Sequence, residues 1–172
     1  ALASSLSCSL HRDVARGFYK KYIDVNGMPV VAADVVADLA LQRTYEIVTR
    51  MLAGRPDVVA ALVSNKMYLI VMGRDQVYTD MPEYRNHPNP AYQNERVRGT
   101  GGRPTSFGEE NVLSLPLDRY DDESIGVHEF CHTIDGALSS IDPTWRERRN
   151  KVYRNAMDKG LWKLAYAAGN SG

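Results

Sequence analysis

Two histidines four residues apart, with a glutamate directly after the first, stand in the stretch Val127-His128-Glu129-Phe130-Cys131-His132-Thr133. On an α-helix, residues four apart lie one above the other on the same face, so His128 and His132 can aim both imidazoles at one ion. Zinc takes neutral imidazole nitrogen at roughly 2.0–2.1 Å, favours four tetrahedral ligands and keeps one position for water in catalytic sites. Glu129 then projects beside that water, within reach of its proton. The chain has only four histidines: His11, His87, His128 and His132. The competing reading, a helix that carries two histidines by accident, has to place two of those four at metal-ligand spacing around a glutamate.

The motif needs a helix, and its surroundings predict one. Asp121, Asp122 and Ser124 form a helix-start cluster, and Glu123 adds a carboxylate where the helix dipole favours one. Val127, Phe130, Cys131, Ile134 and Leu138 recur at steps of three and four as an apolar stripe, which leaves His128, Glu129 and His132 on another face. Gly136 is expected to soften the helix near its end. Upstream, Asn111, Val112, Leu113 and Ser114 (with Leu115) read as a strand just before the helix. In many zinc proteases the edge strand beside that helix takes up the peptide by strand addition, because its unpaired N–H and C=O groups accept an extended chain. These four residues are therefore the expected substrate-binding segment, an ordinary sheet strand being the alternative. Glu109-Glu110 reads as solvated surface rather than a catalytic carboxylate pair.

At 172 residues, with 44% hydrophobic and 24% charged residues, the chain has the size and composition of one soluble globular domain over 1–172. Lys plus Arg and Asp plus Glu number 21 each, so no overall field favours nucleic acid or an anionic membrane. No run approaches the ~18 apolar residues of a membrane span. Around Asn26-Gly27, β-forming residues on both sides predict a hairpin. A long amphipathic helix follows over 33–52, with Leu41, Tyr45, Val48 and Leu52 on its buried face and Gly54 after its end. Pro56-Asp57 opens a shorter helix. The apolar run MYLIVM over 67–72 suits a central buried strand. The Pro- and Gly-bearing stretch 81–103 reads as a long irregular surface segment of the kind that covers active sites. Beyond the motif, Asp142-Pro143 restarts a helix to about residue 159, whose Arg146, Arg148, Arg149, Lys151 and Arg154 read as a solvated face before an acidic partner.

Two cysteines, Cys8 and Cys131, are too few for a disulfide framework. Cys131, on the core side of the helix, reads as a small buried thiol, with a Cys8–Cys131 bridge as the alternative. The small residues Ala1-Leu2-Ala3-Ser4-Ser5 fit the remnant of a secretory cleavage site and lean the expectation towards an extracellular protein, though a ragged terminus fits them as well.

A catalytic zinc needs a third protein ligand. Glu123, Asp135, Asp142, Glu147 and Asp158 are the nearby carboxylates, and none stands out. The stretch His128-Glu129-Phe130-Cys131-His132-Thr133-Ile134-Asp135 resembles the zinc helix of the anthrax lethal factor-like metallopeptidases, the group that includes the Pro-Pro endopeptidases. The stretch 103–111 is also similar to one in secreted relatives of that group. In the family a tyrosine precedes the glutamate ligand by seven residues and an asparagine precedes it by three. Tyr166 and Asn170 match that spacing, which implies a glutamate at the position immediately after Gly172. The resemblance also implies that Tyr166 donates a hydrogen bond to the oxyanion of the tetrahedral intermediate; a core tyrosine is the alternative. Three arrangements fit: a chain processed in two, the second polypeptide supplying the glutamate; a fragment; or a zinc held by two histidines with a nearby carboxylate or water.

The expectation is thus an α+β domain, zincin-like, with a small mixed sheet, helices packed on one side and the HExxH motif on the active-site helix. It would be a Zn2+-dependent endopeptidase acting on a peptide or protein substrate, with Glu129 as general base. A non-catalytic zinc-binding interaction module that retains the helix is the rival from another class. A purely structural zinc is a third reading, set back because such sites use four protein ligands.

Overall fold

The computed structural model describes residues 17–120 and 122–163. Strands β1 (Tyr19–Val25) and β2 (Met28–Ala33) form the expected antiparallel hairpin. At its turn Asn26 and Gly27 have φ of 54° and 87°. Two consecutive left-handed residues are what a two-residue hairpin turn needs to match the strand twist. Asp24 Oδ1 fastens it by accepting from the Gly27 N–H at 3.0 Å.

The chain then crosses through helices α1 (Asp38–Met51) and α2 (Pro56–Ser64), the latter with proline at its tolerated start. On α1 the buried stripe is Ala40, Leu41, Thr44 and Val48. Leu52, just past the helix, is also buried, but Tyr45 is not, contrary to expectation. Thr44 takes the inward position in its place and satisfies its hydroxyl on Ala40 O at 2.7 Å. Strand β3 (Leu69–Met72) is wholly buried and lies parallel to both β2 and β5 (Thr105–Gly108). Strand β4 (Gly99–Thr100) pairs antiparallel with β5 and closes one side of the sheet, giving the order β1-β2-β3-β5-β4.

The fold is α+β: among the described residues, a mixed five-stranded sheet and six α-helices. One face of the sheet, with Val30, Leu69, Val71 and Phe107, packs against α1, α2 and α5 (Ile125–Ile141). The other face, with Val31, Ile70 and Met72, is covered by Tyr78 and Met81. The long segment 81–103 is therefore more than a surface loop. It buries Met81, forms α3 (Pro90–Arg96) and supplies the edge strand β4.

Two further expectations are corrected. The segment beginning at Asn111 is no strand: α4 (Glu109–Val112) takes Asn111 and Val112, Leu113 ends it, and Ser114 turns away with φ 51°. The pleated run ends at Gly108, three residues before Asn111, because the next two side chains are held inside. Glu109 and Glu110 are 4% and 3% exposed, the reverse of a solvated pair. Glu109 accepts from the N–H groups of Ala37 (2.8 Å) and Arg74 (2.9 Å), and Glu110 binds Arg98 through both oxygens (2.5 and 2.7 Å). Helix α5 runs five residues past Gly136 before α6 (Trp145–Asp158) begins. Among the described residues, no helix is long and apolar enough to cross a membrane.

Candidate metal centre

Helix α5 carries the whole motif. Its buried side is Ile125, Gly126, Phe130, Thr133, Ala137 and Leu138. His128 and His132 lie on the opposite side, as the periodicity requires. Cys131 is the exception to the expected stripe: it is exposed and lines the histidine pocket. One residue along a helix is a turn of about 100°, which carries Cys131 off the Phe130 direction towards the histidines. Desolvation by its neighbours pushes its thiol pKa up, away from the reactive thiolate form. Cys8, Asp121, Tyr166 and Asn170 lie outside the described residues.

The start of α5 is set from a distance. Ser124 occupies the N-cap without a side-chain cap. Asn111 supplies the missing acceptor: its Oδ1 takes the Ile125 N–H at 2.7 Å, and its Nδ2 donates to Glu123 O at 2.7 Å and Asp118 Oδ2 at 2.8 Å. Asn111 is thus a buried brace of the helix start rather than a strand residue displayed to a peptide.

At the second turn, His128 Nε2 and His132 Nε2 stand 3.1 Å apart. Two nitrogens bound tetrahedrally to one zinc, each at about 2.0–2.1 Å, would be roughly 3.3 Å apart. The spacing is close to the one a shared ion would set, and the two nitrogens stand at hydrogen-bond distance from each other. On the far side of the first ring, Glu123 Oε1 lies 2.5 Å from His128 Nδ1. Both rings open on a shallow pocket of about 440 Å³ lined by Glu123, Val127, Cys131 and their neighbours.

The other nearby carboxylates are engaged or turned outward. Asp135 accepts from Trp145 Nε1 at 2.7 Å and pairs with Arg149, and Asp142 holds Thr144 and Arg148. Glu147 and Asp158 are exposed on α6. Among the described residues, no third His, Cys, Asp or Glu converges on the two nitrogens.

Glu129 faces the sheet edge. A Cβ built on Gly101 would meet His132 Cβ at 2.8 Å, Glu129 O at 2.9 Å and Glu129 Oε2 at 3.3 Å. One built on Gly99 would meet Ile125 Cγ2 at 2.3 Å and Glu129 Cγ at 3.0 Å. Gly99 in the edge strand β4 and Gly101 just past it thus cross the helix at a distance that only glycine permits. Thr133 pins the crossing, accepting from Gly102 N at 3.0 Å and sharing a 2.6 Å hydroxyl contact with Thr105. None of the hydrogen bonds or ion pairs among the described residues occupies the Glu129 carboxylate.

Sequence reasoning placed the edge strand in the wrong segment. The usable signal was the pair Gly99 and Gly101: glycines two apart sit on one face of a strand and mark a close backbone approach. No family model matches the chain, and neither the curated proteins nor the solved structures contain a match to it.

Proposed function

We propose that the chain is a zincin-like metallopeptidase related to the lethal factor-like group, hydrolysing a peptide bond of a peptide or protein substrate. The observation that carries this reading is the 3.1 Å separation of the two Nε2 atoms, with a carboxylate one residue after the first histidine that makes no hydrogen bond or ion pair among the described residues. His128 and His132 would hold zinc through those nitrogens. Zinc, when bound, supplies Lewis acidity and brings the pKa of a water it holds towards ~7. Glu129 accepts a proton from the attacking water and delivers it to the leaving amine. Its position beneath β4 places it beside the sheet edge that an extended peptide would join through main-chain hydrogen bonds. The substrate strand is thus assigned to β4, Gly99 and Thr100, instead of 111–115. By the resemblance, Tyr166 donates to the oxyanion. By the same resemblance, the third ligand would be a glutamate seven residues past Tyr166 and three past Asn170.

The test is Glu129→Gln. A peptidase loses about 10²–10⁴-fold in turnover, as removal of a general base does, while zinc content stays at the wild-type level. His128→Ala loses the zinc itself. Unchanged turnover in Glu129→Gln would overturn Glu129 as the general base, and zinc-loaded wild type that cleaves no member of a diverse peptide library would favour the binding-module reading instead.

A further inference from the structure

We propose that Glu123 is a positioning residue for the histidine pair: it fixes His128 in the tautomer that leaves Nε2 bare and facing His132. This rests on the metal-site reading and extends it to a residue outside the HExxH motif.

The argument begins with proton inventory. A carboxylate has only acceptor oxygens, so the 2.5 Å contact between Glu123 Oε1 and His128 Nδ1 makes Nδ1 the donor. A neutral imidazole carries one N–H. With it committed at Nδ1, Nε2 presents a lone pair, and Nε2 is the atom that lies 3.1 Å from its counterpart on His132. In free solution an imidazole divides between tautomers and rotates about two side-chain torsions. A partner on the remote nitrogen removes both freedoms, which is how outer carboxylates orient metal-binding histidines.

The carboxylate is itself placed by the fold. Glu123 stands just before the N-cap of α5 and five residues before His128, so it must fold back along the second turn to reach the ring. Its backbone is held for that: its N–H donates to Tyr120 O at 3.0 Å, and its carbonyl accepts from the buried Asn111 Nδ2 at 2.7 Å. The side chains of Glu123 and His128 are 48% and 30% exposed. A pair this wet contributes little to folding stability, so its consequence lies in geometry. The same contact explains why Glu123 is not the third ligand: it meets the ring on the nitrogen remote from the ion.

The experiment compares the wild-type chain with Glu123→Ala and Glu123→Gln. Imidazole tautomers of the metal-free proteins are read by long-range ¹H–¹⁵N correlation at about pH 8.5, well above the ordinary histidine pKa of about 6.5. Zinc affinity is read by competition with a chromophoric chelator. The expected result is an Nδ1–H tautomer for His128 in wild type, its loss in Glu123→Ala, and zinc affinity about 10–100-fold weaker in that variant. Glu123→Gln, whose amide oxygen still accepts from Nδ1–H, keeps the tautomer and loses less affinity. The same His128 tautomer in wild type and Glu123→Ala, or equal zinc affinity in the two, would overturn the proposal. A wild-type chain that binds no zinc in the absence of the third, glutamate ligand would bear on that ligand and not on Glu123, and the tautomer comparison would then decide Glu123 by itself.

Discussion

Two polar clusters of this protein begin on the four-residue helix α4, and they are built on opposite terms. Glu109 and Glu110 belong to a closed one. Arg98 meets both oxygens of Glu110 and donates to Gly73 O (3.0 Å) and Gln76 O (2.6 Å), while Glu109 is satisfied by two backbone N–H groups. Next along the helix, Asn111 braces an open cluster, where two histidine nitrogens converge and the Glu129 carboxylate takes part in no hydrogen bond or ion pair among the described residues. In the first, each buried charged side chain is satisfied by the chain, so the network joins β3, the approach to β4 and α4 into one unit. In the second, the Glu129 carboxylate is left without a hydrogen bond or ion pair among the described residues. Ionisable groups alone do not mark a site; unspent coordination does.

The comparison breaks most severely at Arg98. Arg98→Met leaves Glu110 charged, buried and unpaired, a change expected to cost about 3–5 kcal/mol, read as a lowered urea midpoint. Adding Glu110→Leu to the same chain removes the stranded charge and should recover most of the loss; a double variant as unstable as the single one would show that the pair does more than neutralise itself. Next in size is Gly101→Ala, whose new methyl meets a backbone oxygen and His132 Cβ below 3.0 Å. Crowding of this kind costs about 1–3 kcal/mol. Because the strand must lift from the helix, zinc affinity and turnover should fall beyond what the midpoint shift explains. The smallest effect is at Gly136, on the same helix, where an added Cβ meets nothing within 4 Å. Gly136→Ala should stabilise by about 0.5–1 kcal/mol and leave zinc binding unchanged. Equal effects of the two alanines on metal affinity would sink the assignment of β4 as the strand that crosses the site.

What was legible in the sequence follows from the range of the interactions concerned. The Asn26-Gly27 turn, the buried run at 69–72 and the face carrying His128 and His132 are set by neighbours within a turn or a pleat, and local pattern sufficed. The failures share another cause. Glu109 and Glu110 look like surface until Arg98, Ala37 and Arg74 are brought to them from 12 to 72 residues away. Asn111 looked like strand because the apolar residues after it suit one, whereas its amide is committed to residues 118–125. Cys131 was assigned inward because it shares its spacing with Val127 and Ile134, two half-buried residues on the flank of the stripe. Patterns of three and four locate the centre of a buried face better than its margins.

The brace at Asn111 bears on whether this site can be moved. Helices normally close their first turn with a side chain at their own N-cap; here the acceptor comes from fourteen residues upstream. Excised as a peptide, residues 125–141 would keep both histidines and Glu129 but lose the group that starts the helix and the anchor that aims Glu123. A graft onto another scaffold would have to carry 109–113 together with 118–132, in register, as one composite part. The seven-residue motif is the visible portion of a unit about three times as long, and any search for its counterparts should look for the pair of segments.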